Sequence, residues 1–584
     1  MSDTKDSKPQ MAPRDQEGEA ATDPGTQVAA GVESTNRGRS SVIMAAGTLV
    51  SRILGFVRQW LLVAAIGGYG IADAFNTANT LPNTLYNLLA GGILNAILVP
   101  TIVRTLSQNK GHEGTDRVNA LLTLTAIILL GLTVLTVALA WPIVLLFGGG
   151  MHPQLFSLTV IFALWCLPQI FFYGVYALLG QVLNSLSSFG PYMWAPVVNN
   201  LVGIAGLGVF LFLYGTAPAH NFDVSAWDTS RIVLLAGSMT LGLALQALIL
   251  VFPLQHLGFQ LRANFHWRGL GFRRTGRVAA WAFAGLLANS VMTLIVTRIG
   301  SEANGVGQAA NQFYPATSIY GYATMLYILP QSLVTISVST AFFTAMAFHA
   351  TQGDFAALSA DYLQAVRLSS LFTIPLAGML IVGALPLANF TASALPPDQA
   401  RAMAVVLVTI SLGIPAQTIF VTNTRVLYSL EDTRSQFLST LPFPLLTGCL
   451  AVFAYLALSP EWWLEVTVIG EPLAQFLAAW WGFRMLRRHG LDSKVLHQIA
   501  EHYWRCVAAT VLAGLPATVL FALPVPGAGW SIGATFTSGL GRCLVVGLIM
   551  VPLYILFTWI FGVHEVRRVA ATKSREPRAK RRRR

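Results

Sequence analysis

Residues 42–66 read VIMAAGTLVSRILGFVRQWLLVAAI, an apolar run that carries two arginines, Arg52 and Arg58, in its middle. A bilayer core about 30 Å thick is crossed by roughly 20 apolar residues in a helix, so this run is long enough to span it. In a soluble protein the two arginines would simply face water. The composition excludes that reading. Of 584 residues, 54% are hydrophobic and only 11% charged, whereas soluble domains carry about 25% charged residues. The chain is therefore expected to be an all-α, polytopic membrane protein.

Outward from that stretch, similar runs recur near 71–100, 119–148, 154–182, 192–214, 232–255, 278–298, 313–347, 367–390, 402–428, 436–458, 463–483, 504–523 and 542–562, giving about 14 transmembrane helices. Pro82 and Pro330 interrupt the second and eighth. Alternate connections on one side carry Arg104, Lys110 and Arg117, then Arg262, Arg268, Arg273, Arg274 and Arg277, later Arg434, and then Arg484, Arg487, Arg488 and Lys494. The opposite side is nearly bare, with GGYG at 67–70, GGMHP at 149–153 and SEANGVGQAANQ at 301–312, and Arg231, Arg401 and Arg542 as its few exceptions. Basic loops stay cytoplasmic, and an even span count puts both termini on that side.

The formal net charge of +12 does not indicate nucleic-acid binding. The polybasic end, Lys573 to Arg584, lacks stacking aromatics and a fold around its charges; it fits anionic membrane lipid. Residues 1–41 are polar and too poor in apolar surface to fold, so they are read as a disordered cytoplasmic tail. They also lack the apolar core of a secretory signal.

Two strings repeat at a common offset. VLNSL (182–186) ends the fourth span and VLYSL (426–430) the tenth, an offset of 244. Leu81-Pro82 and Leu329-Pro330 repeat at 248. Six spans separate each pair, so both halves keep one orientation, and substrate sites of such parallel repeats lie between the halves. The expected organisation is an N-lobe at 42–258, a basic linker at 259–277, a C-lobe at 278–490, two further helices at 491–565, and a polybasic cytoplasmic tail at 566–584.

A charge at mid-bilayer costs about 2.5–3.5 kcal/mol on insertion scales, so intramembrane ionisable residues mark candidate sites. Arg52 and Arg58 are about 9 Å apart along a helix and roughly 120° apart around it. Arg52 is too deep to reach the interface by extending its side chain. Both are expected to face a wet cavity, with Asp73 as the alternative, an internal ion-pair partner. An arginine fork suits paired contacts with phosphate oxygens. Arg298 is read as an interfacial anchor or a ligand contact, and Arg425 as a cavity residue, a snorkelling residue or a partner of Asp432. Pro82 and Pro330 remove backbone donors and are candidate hinges. No acidic residue lies in spans seven or eight to hold a coupling cation, and no phosphate loop, metal cluster or catalytic constellation is present, so neither cofactor nor enzymatic activity is expected.

SRILGFVRQ (51–59), ADAFNTANTLPN (72–83), LVP (98–100), GQVLNSLSSFGPYMWAPVVNN (180–200) and TRVLYSLEDTR (424–434) together resemble the MurJ/MviN family of lipid II flippases. The resemblance implies the multidrug/oligosaccharidyl-lipid/polysaccharide exporter fold, with two six-helix lobes and two extra helices that form a lipid groove. It implies a polyprenyl-pyrophosphate-linked glycan lipid as cargo, the bacterial cytoplasmic membrane as location, and cell-wall synthesis proteins as partners. Arg52, Arg58 and Asp73 match the family's central charged set. Tyr86, Gly91 and Met325 stand where the family commonly has charged residues. Three other readings remain at this stage: a small-molecule antiporter of the same superfamily, a flippase for another polyprenyl-linked glycan, and a non-transporting cell-wall scaffold.

Overall fold

A computed structural model describes residues 46–88, 112–186, 188–217, 224–265, 276–522, 532–563 and 565–567. The tails at 1–41 and 568–584, with the tail's expected lipid contact, lie outside the described residues. So do LVP at 98–100 and the arginines at 268, 273 and 274.

With no water in a bilayer core, backbone groups must be satisfied within each segment, and the described residues accordingly form helices without a strand. In chain order the first six spans are α1 (Ala46–Ile66), α2 (Ile71–Tyr86), α3 (His112–Ala138) with its short continuation α4 (Ala140–Gly148), α5 (Pro153–Ser185), α6 (Phe189–Tyr214) and α7 (Thr229–His256). The next six are α8 (Gly276–Ala310), α9 (Thr317–Gln352), α10 (Phe355–Val382) with α11 (Ala384–Thr391), the pair α12 (Pro397–Ser411) and α13 (Ile414–Ser429), α14 (Thr433–Ala457) and α15 (Trp463–Arg488). Helices α16 (Lys494–Ala522) and α17 (Ile532–Ile560) follow. Among the described residues ten helices are long and apolar enough to cross a membrane, eleven with the bent pair α12–α13. The remaining expected spans fall on α2, α15 and α16.

The apolar cores segregate by sequence half. One pair of clusters is built from α1 to α7, around Phe75, Phe162 and Leu207 and around Leu121, Leu183 and Leu254. A second set is built almost entirely from α8 to α15, around Tyr322, Met403 and Leu464 and around Tyr362, Leu427 and Phe483. Helices α16 and α17 pack on α10 and on each other through Ile374, Cys506 and Tyr554. Helix α1 bridges the two sets: Val63 belongs to the second core, and Phe56 stacks on Phe390 of α11 at 5.4 Å.

Two bundles packed in this way need polar closure somewhere, and it is concentrated at one end. The α1–α2 turn reverses on Gly67 and Gly70, with φ of 77° and 65°, values that favour glycine. Its exposed carbonyls are capped from α9: Tyr322 donates to Gly67 O at 2.7 Å and Ser318 Oγ to Gly68 O at 2.7 Å. The opposite end gathers Arg117, Arg262, Arg434, Arg484, Arg487 and Arg488 at helix termini and connections.

Three expectations need correction. Residues 301–312, read as a connection, are helical to Ala310, so the seventh span continues well past Arg298. Its small residues allow a close approach there. A β-carbon at Gly305 would lie 1.9 Å from Gly150 O. The tenth span is not continuous; it bends by 47° between α12 and α13. Pro82 does not break its helix, and the break at Pro330 is local. Pro330 ends the first part of α9 and a π-turn follows at Gln331–Thr335, while after Pro82 the helix runs to Tyr86 before π geometry at 87–88.

Candidate functional site

Arg52 and Arg58 sit on α1, which is held in register by Asn200 of α6 donating to Ser51 O at 2.7 Å. Arg52 reaches across to the second bundle. One of its terminal nitrogens donates to Ser332 Oγ on the π-turn after Pro330, and its Nε is buried without a partner. Arg58 points into the first bundle, its stem laid over Gly203, where a β-carbon would come within 2.6 Å of Arg58 Cδ. Tyr173 of α5 lies beside the Arg58 guanidinium and bonds the side chain of Asn83 on α2. Among the described residues no carboxylate pairs with Arg52 or Arg58.

Around this pair the surface is polar where a membrane protein would ordinarily be apolar. Asn83 is exposed, although it lies in the last turn and a half of α2, and Asn87 donates to its Oδ1 at 2.8 Å. Tyr86 stacks on Tyr173 with ring centroids 5.8 Å apart and planes at 27°. The position where the resembled family carries a basic residue therefore holds an aromatic that braces the Arg58 neighbour. What this arrangement offers is two uncompensated guanidinium groups, with a phenol and amides as neutral donors. Groups of this chemistry suit the oxygens of an anion.

Asp73 is not part of that surface. It is fully buried in the first turn of α2, and its carboxylate accepts from Gly70 N at 3.1 Å, Ser318 N at 2.7 Å and Asn304 Nδ2 at 2.5 Å. The last two donors belong to α9 and α8, so Asp73 joins the bundles at the sealed end instead of pairing with an arginine. Tyr69 reinforces the seal, donating to Asn304 O and Gln312 O, both at 3.2 Å.

Arg298 lies outside the central space as well. It pairs with Glu302 at 2.5 Å, donates to Leu145 O at 3.3 Å, and stands on the wall of an apolar groove of about 850 Å³ between α8 and α14. Arg425 of α13 lies over the Phe343 ring, 5.9 Å from its centroid. Its expected partner Asp432 instead bonds His489 at 2.7 Å. Of the five residues, then, Arg52 and Arg58 share helix α1 but turn to different bundles, while Asp73, Arg298 and Arg425 each occupy a separate place.

Comparison with known proteins gives these features a context. A family model described as "Lipid II flippase MurJ" matches residues 62–537. This chain belongs to the MurJ family. It is 26% identical to the probable lipid II flippase MurJ of Rhizobium meliloti (strain 1021) over 538 residues, 88% of this chain and 92% of that one. It is 28% identical to the lipid II flippase MurJ of Burkholderia cenocepacia over 353 residues, 60% of this chain and 64% of that one. Its fold superposes on a lipid II flippase MurJ in an inward closed conformation with TM-score 0.68 at 18% identity, covering 89% of this chain and 99% of that one. An inward-facing multidrug resistance MATE transporter follows at 0.59 and 13%, with 77% and 99% covered. The MurJ family read from the motifs is thus met, and the fold is shared with both structures.

The sequence did not single out Tyr173, Ser332 or Glu471. Tyr173 and Ser332 carry no signal of their own, being neutral residues in apolar runs. Glu471 does. It is a carboxylate inside the twelfth span, in VIGEPLAQ, and a search for acids limited to spans seven and eight passes over it.

Proposed function

We propose that this protein carries lipid II, a polyprenyl-pyrophosphate-linked peptidoglycan precursor, from the cytoplasmic to the outer leaflet of a bacterial cytoplasmic membrane by alternating access. The single observation that carries the reading is the pair of arginines on α1 that no carboxylate neutralises among the described residues, beside polar side chains inside the membrane. A pyrophosphate supplies the missing anion, and the arginine fork matches its oxygens. The basic end is the cytoplasmic one by the distribution of arginine, so the sealed end faces outward and both termini face the cytoplasm.

Arg52 and Arg58 would hold the pyrophosphate, with Tyr173 and Asn83 as neutral donors. The lipid tail would lie along α16 and α17. An apolar cavity of about 300 Å³ between α9, α10 and α17, with Pro330 in its wall, supports that route. Pro82 and Pro330 would absorb the bending as the bundles rock. With the inside negative, each negative charge moved outward gains about 2.3 kcal/mol per 100 mV, enough to favour export without nucleotide hydrolysis.

An antiporter for small cations would want a free carboxylate in the first bundle. Asp73, the obvious candidate, has its oxygens committed to three donors. The test is precursor flipping in cells that depend on this protein. Arg52→Ala and Arg58→Ala should each abolish or severely reduce it, and undiminished flipping in both would overturn the proposal. Deleting 1–38 together with 570–584 should leave flipping intact; loss there would favour a scaffold instead.

A further inference from the structure

The second bundle holds a carboxylate that the arginine site does not use. Glu471 lies about 12 Å along α15 from its outer end and is buried. Tyr320 donates to its Oε2 at 3.2 Å, and Gln475 Nε2 lies 3.5 Å from its Oε1. Gln475 in turn meets Tyr327 at 2.7 Å, and the Gln475 Oε1 is buried with no hydrogen-bond partner. No cation faces this carboxylate among the described residues. On the helices packed against α15, Arg298 is held by Glu302, Arg425 lies over Phe343, and Arg401 and Cys449 are exposed. From α9 only Tyr320 and Tyr327 face it. Toward the outer end lie Glu465 on its own helix and Glu461 in the turn just before it, and they too are acids.

We propose that Glu471 is a proton-binding site, occupied while the outer end is sealed and emptied when that end opens. A buried carboxylate without a cation takes up a proton rather than remaining charged. The uptake is a simple addition of one proton from water to one carboxylate oxygen. The new hydroxyl then provides the donor that Gln475 Oε1 lacks once the amide turns over, and Tyr327 supplies the second donor to that oxygen.

Coupling follows from α9, which is gripped on two sides. Ser318 and Tyr322 in its first turns hold the α1–α2 turn and Asp73 of the first bundle. Tyr320 and Tyr327 hold Glu471 and Gln475 of α15. The same polar cluster extends to the two breaks in the second bundle. Gln331, on the π-turn that also carries the Arg52 partner Ser332, donates to Ile414 O at the α12–α13 bend. Ionising Glu471 draws water between α15 and α9, and α9 cannot yield to it without loosening its hold on the first bundle. This inference rests on the alternating-access reading given above.

The experiment uses the full chain in lipid nanodiscs, spin-labelled at exposed Gln154 and Ala309 on either side of the sealed end, with inter-label distances measured from pH 5.5 to 9. The short-distance population should fall as pH rises. Glu471→Gln should hold it at its low-pH value throughout, and Tyr320→Phe, which removes a donor to the carboxylate, should move the midpoint to higher pH. Titration of Asp73 has the opposite sign, since protonating it weakens the seal on acidification. A Glu471→Gln protein that titrates like the wild type, or a wild type whose distances ignore pH, overturns the proposal. Precursor flipping is assayed on the same preparations. Flipping with a pH response independent of Glu471 removes the proton site alone; a Glu471-dependent response without flipping removes the lipid II reading and supports the site.

Discussion

Replacing Asp73 by Asn tests the seal directly. The Asp73 carboxylate accepts two hydrogen bonds from the second bundle, Ser318 N at 2.7 Å and Asn304 Nδ2 at 2.5 Å. Hydrogen bonds to a charged group are worth about 1.5–3 kcal/mol each. An asparagine of the same shape keeps one acceptor oxygen and presents an NH₂ to the other donor, so one of the two inter-bundle bonds is lost. The sealed state should weaken by about 1.5–3 kcal/mol, a shift of about 10- to 150-fold in the ratio of sealed to open molecules at 1.36 kcal/mol per factor of ten. The Gln154–Ala309 label pair reads this as a long-distance population that is scarce in the wild type and prominent in Asp73→Asn. The hydrogen bond to Gly70 is retained by rotating the amide, and the fold of each bundle does not depend on Asp73, so thermal unfolding should change little by comparison. Unchanged distances in a well-folded Asp73→Asn protein would refute the assignment of this residue to the seal.

Three further outcomes follow from the geometry. Arg58→Lys keeps the charge but not the fork; flipping should fall well below wild type yet exceed that of Arg58→Ala, and equal rates for Lys and Arg would argue against paired contacts. Gly413→Ala puts a β-carbon 1.6 Å from Gln475 Oε1 and 2.9 Å from the Pro472 backbone, and overpacking of this kind costs about 1–3 kcal/mol, which a lowered melting temperature in detergent will show. At the basic end, burial raises the Asp432 carboxyl, but hydrogen bonds from Ser435 and the neighbouring His489 more than offset that and hold it below its ordinary value. A carboxyl with a depressed folded value stabilises above the ordinary carboxylate range, about 3.9, and loses that contribution as pH falls through the folded value. The melting-temperature gap between wild type and Asp432→Asn should therefore be present at neutral pH and close on acidification below about 4.

The membrane architecture was legible because apolar run length is a direct consequence of bilayer thickness, and the two arginines stood out because charge inside such a run is costly. Helix ends were less so. The seventh span hides its last three turns in SEANGVGQAA, where glycine, serine and asparagine read as a loop until α4 and the turn at 149–151 pack on them. Asp73 and the arginines looked alike in sequence, since a charge in a span announces a site without saying which one. Only the third dimension separates the two arginines from the seal, because Ser318 and Asn304 lie more than 230 positions from Asp73 along the chain. Tyr86 illustrates the same limit from the other side. The missing cation was visible, but its stack on Tyr173 was not.

A carrier has to let go as well as hold on. In the proposed site a phenol and an amide stand beside only two guanidinium groups, so few full opposite charges would hold the pyrophosphate. Such a berth would favour discharge over tight retention, and unloading on the far side of the membrane is then not expected to be the slow step.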